Sequence, residues 1–172
     1  ASPEAGAMAQ LLQHVEGALA HTRDLARGLE SVPARPEGLL EALSGLAAHV
    51  RSTAKVSCEF KAGRRILVKD QSVANHLYRI AQESVHNAVR HARAKRITVN
   101  LEEQDHELSL SVTDDGAGLL SAPSQGSGMG LDIMRHRASL ISGTLTISSR
   151  TDGGTEVVCR VLVGGPAQED RV

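Results

Sequence analysis

Tryptophan is absent from these 172 residues, and tyrosine and phenylalanine occur once each, at Tyr78 and Phe60. Leu, Val, Ile and Ala must therefore pack the interior. No basic block is present, and a formal charge of -1 argues against a protein that grips nucleic acid mainly by neutralising phosphates. Cysteine is scarce too: Cys58 and Cys159 lie far apart and form no Cys-x-x-Cys pair. That excludes a zinc spacing and a disulfide framework, and predicts two reduced thiols in a cytoplasmic protein. No run approaches the ~18 consecutive apolar residues of a membrane span. No charged start followed by an apolar signal core opens the chain. The expectation is a soluble fragment with no membrane contact of its own, compatible with a larger membrane-anchored parent.

The patterns that are present divide the chain. From about Met8 to Leu29, apolar positions recur at helical spacing through Leu11, Leu12, Val15, Leu19, Leu25 and Leu29. Pro33 and Pro36 then push their predecessors toward extended geometry and predict a hinge. A second helix is expected from about Glu37 to Val50, followed by a strand with alternating pattern from Lys55 to Phe60. Asp70 can cap a long helix reaching about Ala92. Two strands, Arg96 to Glu103 and Glu107 to Thr113, read as a hairpin through Gln104, Asp105 and His106. A glycine-containing loop with Pro123 leads to a helix from about Gly128 to Ile141. A last hairpin pairs Thr144 to Ser149 with Thr155 to Val163 around Asp152, Gly153 and Gly154.

This order predicts an α+β fold, a two-layer α/β sandwich with helices on one face of a mixed, mostly antiparallel sheet. The expected divisions are a partial helix and linker over 1–32, a domain over 33–164 and a loose tail over 165–172.

Four local patterns carry chemistry. Glu83, Asn87 and His91 stand four residues apart on the long helix, so they project as one stripe opposite the apolar one. A carboxylate and a carboxamide one turn apart offer hard oxygens to a magnesium ion that keeps several waters and borrows phosphate oxygens. Arg90 and His91 could meet phosphate at the end of that stripe. Asp114-Asp115-Gly116-Ala117-Gly118 follows an alternating strand directly. An ionised Asp114 accepts hydrogen bonds only, as the exocyclic amine of a purine requires, and the glycines let backbone approach a flat ring. Gly126-Ser127-Gly128-Met129-Gly130-Leu131 precedes a helix, where exposed amides and the helix N-terminus favour phosphate. No Gly-Lys-Ser/Thr follows, so it is not a P-loop, and the βαβ context of a dinucleotide fingerprint is missing. Finally, Thr155 follows Gly153-Gly154 and offers a hydroxyl that could share the base-binding task of Asp114. Each pattern alone has an ordinary reading: a solvated helix face, a turn, a loose loop, a strand threonine.

Together and in order, the four resemble the N, G1, G2 and final glycine-threonine boxes of the ATPase fold of histidine kinases, DNA gyrase B, Hsp90 and MutL, the GHKL or Bergerat fold. The fuller likeness is to sensor histidine kinases of the nitrate-sensor and desaturase-regulator type. It rests on Leu77 through Ala92, with Gln82-Glu83 and His86-Asn87 inside it, and on Gly128-Met129-Gly130-Leu131-Asp132-Ile133-Met134-Arg135-His136-Arg137-Ala138. The likeness extends from about Thr22 to Val163.

The resemblance implies ATP and Mg2+ as ligands, with Asn87 on the metal and Glu83 organising it through water, both as catalytic residues. It implies Asp114 as adenine anchor, Gly116 and Gly118 shaping its pocket, and Thr155 completing it through a water. Arg90 and His91 would approach phosphates, and Gly126, Ser127, Gly128, Met129, Gly130 and Leu131 would close over the triphosphate. The family's phosphoacceptor histidine sits in a Glu-Leu-His-Asp-like context that is not found here. His14 and His21 lack it and read as surface residues of a partial dimerisation helix. The implied partners are a response-regulator receiver domain and a second copy in the full-length kinase. An anti-sigma-factor-type serine kinase switch and a GHKL ATP hydrolase share the same boxes, and a nucleotide-free interaction module would need none of them. Rapid ATP turnover would favour the hydrolase, and the helix before Pro33 favours the sensor kinase over the switch.

Overall fold

The computed structural model describes residues 32–63, 66–118 and 129–163, with the side chain of Met129 excepted, all inside one compact unit that begins at Val32. The helix expected over Met8 to Leu29, the loop residues Pro123, Gly126, Ser127 and Gly128, and the tail lie outside the described residues.

Pro33 stands at the start of the unit, in a turn. Arg35 N–H donates to Pro33 C=O (2.8 Å) and Gly38 N–H to Arg35 C=O (2.9 Å), a tight turn that opens helix α1, Gly38–Thr53. A Cβ on Gly38 would lie 2.0 Å from the Pro33 carbonyl oxygen, so only glycine fits this entry. Leu39, Leu43, Ala47 and Val50 bury one side of α1. Strand β1, Ser57–Ala62, begins two residues later than expected because Lys55 takes a positive φ of 54° and Ser57 N–H pairs with Lys95 C=O (2.9 Å).

Helix α2, Gln71–Arg90, follows, then β2, Arg96–Gln104, parallel to β1. The crossover explains the pairing: parallel neighbours need a long connection, and α2 is that connection. Strand β3, Glu107–Asp114, returns antiparallel to β2 through Asp105 and His106, both at positive φ (50° and 63°), the two-residue turn whose twist matches a hairpin. Helix α3, Met129–Leu140, precedes β4, Thr144–Ser149, and β5, Thr155–Leu162. The sheet order is β1-β2-β3-β5-β4, with every pair after β1–β2 antiparallel.

The registers align Ile97, Val99 and Leu101 with Asp114, Val112 and Leu110, and Leu110 and Val112 with Cys159 and Val157. These side chains form the buried sheet face, met by Leu77, Ile80, Ala81, Ser84, Val85 and Ala88 of α2 and by Met134 and Ala138 of α3. Each fully buried Leu, Ile or Val stabilises the fold by about 1.5–3 kcal/mol relative to exposure, so this layer replaces the missing aromatics. The opposite sheet face carries Thr98, Asn100, Ser109, Ser111 and Thr113, consistent with the alternation read from sequence.

Candidate nucleotide-binding site

The site grows from the two ends of α2. Asp70 caps its start, its Oδ1 accepting from Ser72 N–H (2.8 Å) and Val73 N–H (3.2 Å). The buried stripe then fixes the rotation of the helix, which leaves Glu83 and Asn87 half-buried on the neighbouring side. Neither side chain makes a hydrogen bond with a described residue, so their oxygens are unengaged.

The expected stripe is shorter than the sequence suggested. The helix ends at Arg90, and His91 is its C-cap, donating its N–H to Asn87 C=O (2.9 Å). His91 therefore sits at the helix end rather than on its face. Partial burial first, then Arg90 and His86, hold its imidazole below the ordinary histidine range, with Glu83 opposing them. Arg90 is exposed at the same end.

Beyond the cap the chain turns at Arg93, at φ 52°, and meets the loop after β3. Ala117 N–H donates to Ala92 C=O (2.9 Å), which staples that loop to the end of α2. A Cβ on Gly116 would stand 2.4 Å from the Ala92 carbonyl oxygen and 2.5 Å from its Cβ. The close approach that this glycine permits is thus to the protein's own backbone. Gly118 adopts φ +74°, the left-handed region, and faces the Gly154 carbonyl oxygen.

Asp114 ends β3 in the middle of the sheet and is only 6% exposed. Its Oδ1 accepts from Gly116 N–H (2.7 Å), and no described residue donates to Oδ2. Gly154 packs on its backbone: a Cβ there would lie 1.9 Å from the Asp114 carbonyl oxygen. The β3–β5 ladder closes at Thr113 and Glu156, so its continuation sets Thr155, half-buried, opposite Asp114. Arg150 and Asp152 lock the adjoining turn through paired contacts of 3.0 and 2.6 Å.

Sequence reasoning assigned nothing to Asp115. Its Oδ1 accepts from Lys95 and Arg96 N–H (both 2.8 Å), and its Oδ2 from Arg96 Nε (3.1 Å). These bonds, the Arg96 N–H foremost, lower its pKa to about 2. Asp115 thereby fixes the loop to the start of β2 and sets the direction of Asp114. The signal was its position next to Asp114, but its partners are nearly twenty residues away in sequence.

On the far side, α3 begins directly against Glu83: a Cβ on Gly130 would lie 2.1 Å from Glu83 Oε1. Leu131 is half-buried against the core, as a residue fixing this helix start should be. The structure thus brings Glu83 to Gly130, Gly116 to the end of α2, Gly154 to Asp114, and Gly118 to Gly154. Gly126, Ser127, Gly128 and the Met129 side chain are outside the described residues.

Among the described residues no group of three or more His, Cys, Asp or Glu side chains could hold a metal ion by itself. The donor set that remains, one carboxylate and one carboxamide without protein partners, fits a magnesium ion whose other ligands are waters and phosphate oxygens.

A family model described as histidine kinase-, DNA gyrase B-, and HSP90-like ATPase matches residues 72–164. The chain belongs to this ATPase family. Its matched segment runs from the first turn of α2 past the end of β5 and so contains Glu83, Asn87, His91, Asp114, Gly116, Gly118, Gly130 and Thr155. Sensor histidine kinase LiaS of Bacillus subtilis (strain 168) is 31% identical over 155 residues, covering 90% of this chain and 42% of LiaS. The nitrate/nitrite sensor protein NarX of Escherichia coli (strain K12) is 32% identical over 103 residues, 60% of this chain and 17% of NarX. The chain spans less than half the length of these relatives. Among solved structures, Acinetobacter baumannii histidine kinase AdeS aligns with a TM-score of 0.62 at 17% identity, over 96% of this chain and 88% of that one. The histidine kinase domain of the E. coli osmosensor EnvZ aligns at 0.56 and 20% identity, over 76% and 89%. These two likenesses establish the fold. The family resemblance read from the residues and the α+β sandwich are both borne out, and the domain is of the ATP-binding kind.

Proposed function

We propose that this chain is the ATP- and magnesium-binding catalytic part of a cytoplasmic sensor histidine kinase region. It would transfer the γ-phosphoryl of ATP to a histidine on a dimerisation helix, from which the group passes to an aspartate of a response-regulator receiver domain. Dimerisation of the full-length kinase belongs to the same reading. The observation that carries it is Asp114: a buried carboxylate with one oxygen held by Gly116 and the other open, in a corner where Gly116 and Gly154 let neighbouring backbone pack closely.

In this reading Asp114 Oδ2 accepts the exocyclic amine of adenine, and Thr155 stands opposite to complete the base contacts through a water. Gly116 and Gly118 hold the loop that borders the ring. Asn87 offers its side-chain oxygen to magnesium, and Glu83 orders the water around it. Magnesium supplies neutralisation of the triphosphate charge. Arg90 and His91 approach phosphate from the end of α2, and the segment Gly126, Ser127, Gly128, Met129, Gly130 and Leu131 encloses it from the start of α3. The protein's contribution to phosphoryl transfer is then positioning and charge compensation rather than covalent chemistry.

The test is a titration of ATP with magnesium against the wild-type chain, Asp114→Asn and Asn87→Ala. Asp114→Asn turns an acceptor-only group into one that also donates, and should weaken binding by about tenfold or more. Asn87→Ala should weaken binding with magnesium present but much less with EDTA. Undiminished affinity in both variants overturns the assignment. Steady release of phosphate by the isolated chain would favour the hydrolase members of the family instead.

A further inference from the structure

Selecting one base asks more of Asp114 than a carboxylate in the right place. The terminal torsion of an aspartate is broad, so the direction of Oδ2 depends on what holds Oδ1. Here that is the Gly116 N–H, at 2.7 Å. Where Oδ2 points is therefore decided by what holds Gly116.

With glycine at 116 and 118, the loop has little stiffness of its own. Its order comes from bonds to residues 92–96, between the end of α2 and the start of β2, and Asp115 is tied there by backbone and side chain alike. Asp115 N–H donates to Arg96 C=O (3.2 Å), Oδ1 accepts from the Lys95 and Arg96 N–H groups (both 2.8 Å), and Oδ2 accepts from Arg96 Nε (3.1 Å). On the other side of Gly116, Ala117 N–H donates to Ala92 C=O (2.9 Å).

The anchor is itself part of the sheet. Ser57 N–H of β1 donates to Lys95 C=O (2.9 Å), and Ser57 is the register partner of Arg96. The next residue, Ile97, is the partner of Asp114 across the β2–β3 pair. Asp115 thus bonds the loop to β2 one position before the residue against which Asp114 stands. Both of its oxygens are spent on these donors, which leaves Asp114 Oδ2 as the acceptor open to a base.

We propose that Asp115 is a positioning residue through which the protein selects adenine: its carboxylate, bound to the start of β2, holds Gly116 N–H on Asp114 Oδ1 and so keeps Oδ2 turned to the exocyclic amine. The inference rests on the reading of Asp114 as the adenine acceptor and adds to it a determinant of base preference that touches no nucleotide.

The experiment compares ATP with purine riboside 5′-triphosphate, the same nucleotide without the exocyclic amine, each titrated with magnesium against the whole chain. Wild type, Asp115→Ala and Asp115→Asn are measured at a temperature where circular dichroism shows all of them folded. Wild type should prefer ATP by about tenfold, the worth of one hydrogen bond to a charged acceptor. Asp115→Ala should reduce that preference to about threefold or less, by weakening ATP while leaving the analogue nearly unchanged. Asp115→Asn should fall between, at about fivefold, because its Oδ1 still accepts two N–H groups while its amide meets Arg96 Nε donor to donor. A clamp that served stability alone would weaken both nucleotides equally, and a preference kept at its wild-type value in Asp115→Ala overturns the inference while leaving the assignment of Asp114 standing. Should Asp115→Ala not fold, an unreduced preference in Asp115→Asn overturns it in the same way. Equal binding of the two nucleotides by wild type overturns the assignment of Asp114 as well.

Discussion

At the scale of single residues, two adjacent aspartates do different work. Asp114 is buried with an open oxygen, whereas Asp115 spends both oxygens on Lys95 and Arg96. Because the pKa of Asp115 falls to about 2 from 3.8, its contribution to stability is complete above the unfolded value and is lost as pH drops from about 4 toward 2. Asp115→Asn should therefore lower stability at neutral pH and flatten the acid limb of a urea-melt series between pH 5 and pH 2. An unchanged limb would mean that the bonds are not held in solution. Gly116→Ala puts a methyl group within 2.4 Å of the Ala92 carbonyl oxygen, with backbone as the obstacle, and should cost about 1–3 kcal/mol in a denaturant melt. Gly130→Ala meets only the end of the flexible Glu83 side chain. It should leave the melt nearly unchanged while weakening the magnesium-dependent part of ATP binding.

At the scale of elements, the caps and crossings decide where these residues stand. Replacing Asp70 with Ala removes both hydrogen bonds at the start of α2 and should destabilise the domain by about 1 kcal/mol, read as a shift in the urea midpoint. Since α2 carries Glu83 and Asn87 four turns further on, nucleotide affinity should hold at temperatures where the variant remains folded. Much of this level was legible beforehand. Asp70 as cap, the helical stripe through Leu77, Ile80, Ser84 and Val85, and the hairpin loop at Asp105 and His106 all follow from local rules. The misjudged boundaries have local causes as well. Lys55 at positive φ delays β1, and His91 caps α2 instead of extending it, because the chain must turn at Arg93 to let Ala92 receive the loop after β3.

For the molecule as a whole, both thiols belong to the core. Cys58 and Cys159 are buried, and burial raises their pKa, that of Cys159 to about 11. Thiolate is the reactive form, so labelling by a thiol reagent at pH 8 should proceed only through unfolding. Its rate should follow the global stability of the domain across a urea series. Fast labelling of the native protein would show that the strand bearing the labelled thiol, β1 for Cys58 or β5 for Cys159, opens locally.

Local sequence determined the elements, the aliphatic character of the core and the order of the four chemical patterns, because helix and strand periods, caps and turns depend on neighbours a few residues away. Tertiary structure alone decided that Asp115 clamps Arg96, that Gly116 yields space to Ala92, and that Gly130 yields it to Glu83. Each of these is a meeting of segments about twenty to fifty residues apart. Such meetings depend on the rotation of α2 on the sheet and on the β3–β5 register, which no local rule contains.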